Sequence, residues 1–109
     1  MKDFYSSEKD LQKEILSYLC SSGIFAWRQN TGAVLYKKRF VRFGLPGISD
    51  IIGIMPDGRF LAIEVKSEKG KLTVYQEGFL EAVRKNGGIA IIARSLFDVI
   101  SLVKNQRKK

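Results

Sequence analysis

Apolar positions follow two alternating periods along this chain. From Glu8 to Ser21, Leu11, Ile15 and Leu19 recur at steps of four, with Leu16 and Tyr18 beside them. That spacing predicts a helix, with Ser6 or Ser7 as N-cap and Gly23 as its stop. Residues 24–29 are short, aromatic and β-branched, which predicts a strand, and Asn30-Thr31-Gly32 reads as a turn. Residues 34–43 fit either a strand or an extended loop. Gly44-Leu45-Pro46-Gly47 breaks the chain. Two strands follow, 50–55 and 59–66, around Pro56-Asp57-Gly58, and then a polar loop, 67–71. A helix over 73–86 ends at Gly87-Gly88, residues 89–93 form a buried strand, and a last helix over 95–103 is capped by Ser95 with Asp98 three residues on. Residues 104–109 form a basic tail expected to fray. The order is α-β-(β)-β-β-α-β-α. Strand, helix, strand implies one parallel pair, and the hairpin before it is antiparallel. The fold class is therefore α/β, a mixed sheet flanked by helices.

A chain of 109 residues suits a single domain, 1–109. No apolar run approaches a membrane span, and the N-terminus lacks the apolar stretch of a signal peptide. One cysteine, Cys20, gives no disulfide framework, so an intracellular, cytoplasmic setting is expected. Nineteen basic against eleven acidic residues give a net charge of +8. That favours an anionic partner, nucleic acid before a membrane surface. The chain has no histidine, which excludes histidine bases, Ser-His-Asp triads and histidine zinc sites. Any metal must be held mainly by oxygen, which points to magnesium, manganese or calcium.

Against this background the hairpin stands out. Asp50, Glu64 and Lys66 put three charges into otherwise hydrophobic strands. Such charges are costly unless paired or metal-bound. Pro56-Asp57-Gly58 suits a three-residue loop, with proline presetting the first position and glycine taking the left-handed one. Met55 then pairs with Arg59, and Asp50 lies opposite Glu64 on one face. A loop one residue shorter would send them to opposite faces. Two carboxylates about 5 Å apart repel, and a divalent cation between them removes the repulsion. Lys66 shares the Glu64 face, where its ammonium can orient water, contact a phosphate oxygen or offset the acids. Glu-Val-Lys alone is ordinary strand alternation; the Asp50 partner and the turn make it a candidate site.

Two helical residues point the same way. Glu8 falls in the middle of the Leu11/Ile15/Leu19 stripe, or it serves the helix dipole in the first turn. Gln76 falls inside the apolar stripe of its helix, where it forms a capping box with Thr73 or reaches toward a metal-bound water or phosphate. Lys37, Lys38, Arg39 and Arg42 interleave with Tyr36, Phe40 and Phe43, a pattern suited to tracking phosphates, and Lys69 and Lys71 extend it. The same pattern also fits a solvated basic loop with inward-packed aromatics.

Asp50 followed by Glu64-x-Lys66 resembles the signature of the PD-(D/E)xK nucleases. The ordered set of Glu8, Trp27-Arg28-Gln29-Asn30-Thr31-Gly32, Gly47-Ile48-Ser49-Asp50, Glu64-Val65-Lys66, Gln76 and Gly87-Gly88 resembles more narrowly the short stand-alone VRR-NUC domain of phage or prophage type. The superfamily's proline directly before the aspartate is not matched, since Pro46 lies four residues earlier. The resemblance implies a restriction-endonuclease-like core. It implies Mg2+ or Mn2+ bound by Asp50, Glu64 and the backbone carbonyl of Val65, with Glu8 as the first-helix carboxylate, Lys66 as catalytic lysine and Gln76 as helix glutamine. It further implies a homodimeric, structure-specific DNA endonuclease, four-way (Holliday) junctions foremost, leaving 5′-phosphate and 3′-hydroxyl ends. The rivals are a junction-binding module without turnover and a nuclease for other DNA or RNA structures.

Overall fold

The computed structural model describes residues 7–29 and 32–107, and within 32–36 and 40–43 and at 107 the backbone alone. Helix α1 spans Glu8–Ser21; the Ser7 hydroxyl caps it, accepting from the Asp10 N–H at 3.2 Å. Strands β1 (Phe25–Arg28), β4 (Ile51–Ile54), β5 (Phe60–Val65) and β6 (Ile89–Ala93) form one sheet in the order β1-β4-β5-β6. β1, β4 and β5 are antiparallel neighbours, whereas β5 and β6 are parallel. Helix α2 (Val74–Lys85) is the crossover between them, and α3 (Leu96–Arg107) follows β6. This is the mixed, helix-flanked sheet that the patterning predicts.

The two faces of the sheet bury different residues. Leu61, Ile63 and Val65 of β5 join Leu11, Ile15 and Leu19 of α1 and Val99 and Val103 of α3 in the larger core. Ile52, Ala62 and Ala90 meet Leu80 and Val83 of α2 on the other face. β5 is thus covered on both sides, and each large aliphatic chain it buries contributes about 1.5–3 kcal/mol. Glu64 belongs to the α2 face of this central strand.

Two segments differ from the sequence expectation. Residues 34–43, ambiguous between strand and loop, belong to a hairpin of β2 (Gly32–Tyr36) and β3 (Arg39–Phe43) that forms a separate two-stranded sheet. Its two-residue loop is Lys37-Lys38, at φ 49° and 66°. Such a turn ordinarily takes Asn-Gly, so the sequence gives no hairpin signal there. Helix α3 also runs four residues past Val103, so the basic segment expected to fray from 104 is helical through Arg107. Lys104, Gln106 and Arg107 are good helix formers, no Gly or Pro intervenes, and cations suit a helix C-terminus. Residues 108–109 lie outside the described residues, as do Ser6 and the Asn30-Thr31 part of the expected turn.

Candidate active site

The β4–β5 turn sets the geometry. The Met55 N–H donates to the Arg59 carbonyl and the Gly58 N–H to the Met55 carbonyl, both at 2.8 Å, and Gly58 takes φ 93°. Asp57 steadies the turn, accepting from the Arg59 backbone N–H at 3.1 Å and from Arg59 Nε at 2.7 Å. That backbone bond, aided by the guanidinium, holds the Asp57 carboxyl below its ordinary value. The resulting register pairs Ile54 with Phe60 and Ile51 with Ile63. One step further along, Asp50 meets Glu64.

Asp50 is fixed on two sides. Its carbonyl accepts from the Gln29 N–H at 2.7 Å, which extends the β1 pairing. Its Oδ2 accepts from the Val65 N–H at 2.8 Å, a bond across to β5. Glu64 is only 2% exposed. Gln76 Nε2 donates to its Oε2 at 3.0 Å, while Oε1 is buried with no hydrogen-bond partner. Burial, then the charge of Asp50, push the Glu64 carboxyl from 4.5 to about 8. The Lys66 charge opposes that rise and the Glu8 charge adds to it.

Gln76 has two partners, Thr73 and Glu64. Its backbone N–H donates to Thr73 Oγ1 at 3.1 Å, and its Oε1 accepts from the Thr73 N–H at 2.9 Å, completing the capping box. The same amide then turns its nitrogen on Glu64. Glu8 lies at the first position of α1, and its Oε2 accepts from the Ser67 N–H at 2.8 Å. It thereby ties α1 to the segment leaving β5. Lys66 extends the β5–β6 pairing through its N–H, which donates to the Ala93 carbonyl at 3.1 Å. Its stem runs beside Gly70, where a Cβ would come within 3.3 Å of Lys66 Cδ.

The basic candidates are dispersed. Lys37, Lys38 and Arg39 are exposed at the tip of the β2–β3 hairpin. The Arg42 side chain lies outside the described residues. Lys69 and Lys71 are exposed in the loop after Lys66.

Arg94, which sequence reasoning missed, organises that loop. Its Nη1 donates to the carbonyls of Ser67 at 2.6 Å, Gly70 at 2.7 Å and Glu68 at 3.3 Å. Its own N–H donates to Asp98 Oδ2 at 2.9 Å. Asp98 therefore serves Arg94 rather than reaching back to Ser95, although the Asp98 N–H does donate to Ser95 Oγ at 3.3 Å. The available signal was register: Val65 pairs with Ala93, so the next residue stands beside Lys66.

Among the described residues, no three His, Cys, Asp or Glu side chains gather into a metal site by themselves. Asp50 and Glu64 supply two oxygen donors, and a backbone or solvent oxygen must complete any set. Among the described residues no helix is long and apolar enough to cross a membrane.

A pair of acids on adjacent antiparallel strands, with a lysine two residues beyond the second, thus sits at one end of a mixed sheet between helices. A family model of the VRR-NUC domain matches residues 2–96. The chain belongs to that family, a nuclease-type domain. A solved structure titled "VRR_NUC domain" is similar in fold, with a TM-score of 0.64 and 24% identity over 89% of this chain and 94% of that one. None of the curated proteins compared with the chain matches it.

Proposed function

We propose that the protein is a metal-dependent DNA endonuclease that hydrolyses phosphodiester bonds in branched DNA, four-way junctions foremost, as a homodimer. The observation that carries this reading is the orphaned Oε1 of Glu64, buried beside Asp50. A carboxylate oxygen without a partner in that position costs folding free energy, and a hard divalent cation supplies the missing contact. The donor set fits Mg2+ or Mn2+: Asp50, Glu64 and the Val65 carbonyl would hold the ion, with Glu8 a more distant carboxylate. When bound, such an ion stabilises charge on the phosphoryl oxygens and lowers the pKa of a water.

The chain's own residues prepare the site. The Val65 N–H occupies one Asp50 oxygen and Gln76 occupies one Glu64 oxygen, leaving the other oxygen of each acid for a ligand. Lys66, on the Glu64 side, would orient the attacking water or hold a phosphate oxygen. Glu8 and Arg94 fix the loop that leaves Lys66, so its stem has a defined origin. A binding module without turnover is the weaker alternative, because it has no use for Asp50, a buried Glu64 and Lys66 gathered at one strand end.

The direct test is purified protein on labelled four-way junction and linear duplex, with and without Mg2+, beside Asp50→Ala and Lys66→Ala. Wild type should cut the junction only with metal, and both variants should lose roughly a hundredfold or more. Equal cleavage by all three proteins would sink the reading.

The hairpin tip offers a second test of the DNA contact. Lys37-Lys38 holds two side chains at positive φ, where Asn-Gly is the favoured pair. The double variant Lys37→Asn/Lys38→Gly should stabilise the hairpin by about 1 kcal/mol, read as slower amide exchange across β2 and β3. It should also weaken DNA binding, with the slope of log K against log salt shallower by roughly 1.8 for two lost phosphate contacts. An unchanged slope would remove the tip from the DNA interface.

A further inference from the structure

The sheet face that carries Asp50 and Glu64 is only half covered. Helix α2 packs on β5 and β6. Beyond Ile52, the β1–β4 side of the same face has no such cover among the described residues. Register puts Phe25, Ile54 and Phe60 in one cross-strand row and Trp27, Ile52 and Ala62 in the next. Ile52 and Ala62 are buried, but Phe25 is 69% exposed, Ile54 and Phe60 41% each, and Trp27 38%. Phe25 and Trp27 form a tilted pair with centroids 5.3 Å apart. Trp27 Nε1 donates to Gln29 Oε1 at 3.0 Å, which satisfies its one polar atom and leaves the ring apolar.

We propose that this half-open face is where two copies of the chain meet, its rows of rings and aliphatic chains packing on their symmetry mates. The inference rests on the homodimer proposed above and names its surface. Charge decides the occupant. Neither row holds a charged residue, although the chain carries +8 overall. A phosphate-tracking surface interleaves cations with its aromatics; here neither row carries one, and the exposed Arg28 of β1 alternates to the opposite face. An uncharged patch complements its own copy, as a two-fold interface requires. Area agrees. With about 150–250 Å² per aromatic ring, the four exposed side chains leave roughly 400 Å² uncovered per copy. That would make a desolvated centre for an interface needing roughly 800 Å² per partner, and Phe and Trp are suitable anchors.

The placement bears on catalysis. The Trp27 row is two residues from the Gln29–Asp50–Glu64 row, roughly 7 Å along the strands. Both acid pairs of such a dimer would lie close to the seam between copies.

The test is solution mass by light scattering on the full chain, at roughly tens of micromolar, for wild type, Phe25→Asp and Phe97→Asp. Phe25 and Phe97 are both exposed in the single copy, so either variant should fold, which circular dichroism and melting check. Phe97, on α3 and away from the sheet's open half, is the control. We expect wild type and Phe97→Asp at twice the 12.3 kDa protomer mass and Phe25→Asp at the protomer mass. The dimer constant should weaken by at least about a hundredfold, since two-fold symmetry buries the new charge twice. A Phe25→Asp protein that stays dimeric would overturn the face while leaving the dimer. A monomeric wild type would overturn both. Phe25→Asp that loses DNA affinity without any change in mass would assign the face to nucleic acid instead. None of these results decides metal-dependent cleavage, which the Asp50→Ala comparison reads separately.

Discussion

Glu64→Gln is expected to reduce metal-dependent cleavage by roughly a thousandfold or more, since it would remove one of the two acids proposed to hold the ion, and at the same time to stabilise the metal-free protein at alkaline pH. Both effects have one cause. Burial and the neighbouring Asp50 charge raise the Glu64 carboxyl from 4.5 to about 8. Between those values the folded chain holds a proton that the unfolded chain has released. Stability from this group is therefore complete below pH 4.5, falls as pH rises toward about 8, and levels off above it. In the variant, the glutamine amide keeps a carbonyl oxygen for the Gln76 Nε2 and has nothing to ionise. Melting in the presence of a chelator should show a declining profile for wild type and a flatter one for Glu64→Gln. Adding Mg2+ at pH 8 should raise the wild-type melting temperature, because the ion binds the carboxylate form of the folded state alone, and should raise that of the variant far less. Parallel pH profiles, or equal responses to Mg2+, would refute this account of the buried acid.

The part of the site written in local sequence was legible, and the part made by packing was not. Pro56-Asp57-Gly58 fixes the turn, the turn fixes register, and register with period-two alternation brings Asp50 to Glu64. Every step involves residues adjacent in the chain or paired across one hairpin. The bounds of α1 and α2 were legible for the same reason, through Ser7, Thr73 and the glycines that follow. Gln76 shows where this stops. Thr73-x-x-Gln76 specifies a capping box, but whether the amide also reaches Glu64 depends on how α2 sits over β5. The Glu8 bond to Ser67 spans 59 positions, and no pattern in either segment announces it. Arg94 is similar, since its three carbonyl partners become neighbours only once β6 lies beside β5. The Lys37-Lys38 turn was hidden for another reason: its residues contradict the preference of the turn they make. The open half of the sheet face was equally invisible, because Phe25 and Ile54 pattern like buried strand residues and only the placement of α2 leaves them uncovered.

Gly47→Ala should damage the site from outside it. Gly47 adopts φ 80°, where an L side chain is strained by about 1–2 kcal/mol. A Cβ there would also fall on the Tyr75 carbonyl and come within 2.9 Å of Tyr75 Cβ. Backbone on a helix cannot swing aside as a flexible side chain can, so relief requires moving the first turn of α2 or the Gly47 loop. That collision adds roughly 1–3 kcal/mol. Tyr75 directly precedes Gln76, so a shift there would break the 3.0 Å bond that holds Glu64 and loosen the box with Thr73. The loop side of the collision carries Asp50 only three residues on. Gly58→Ala is the matching control: its φ is 93°, yet a Cβ would meet nothing within 4 Å. It should lose about 1–2 kcal/mol to strain and keep its cleavage rate. Denaturant melts should therefore rank Gly47→Ala below Gly58→Ala. Cleavage assayed where both remain folded should fall at least tenfold for Gly47→Ala alone, given the sensitivity of such sites to displacements near 1 Å. Equal stability losses with cleavage intact in both would mean that the Gly47 loop does not support the acid pair through α2.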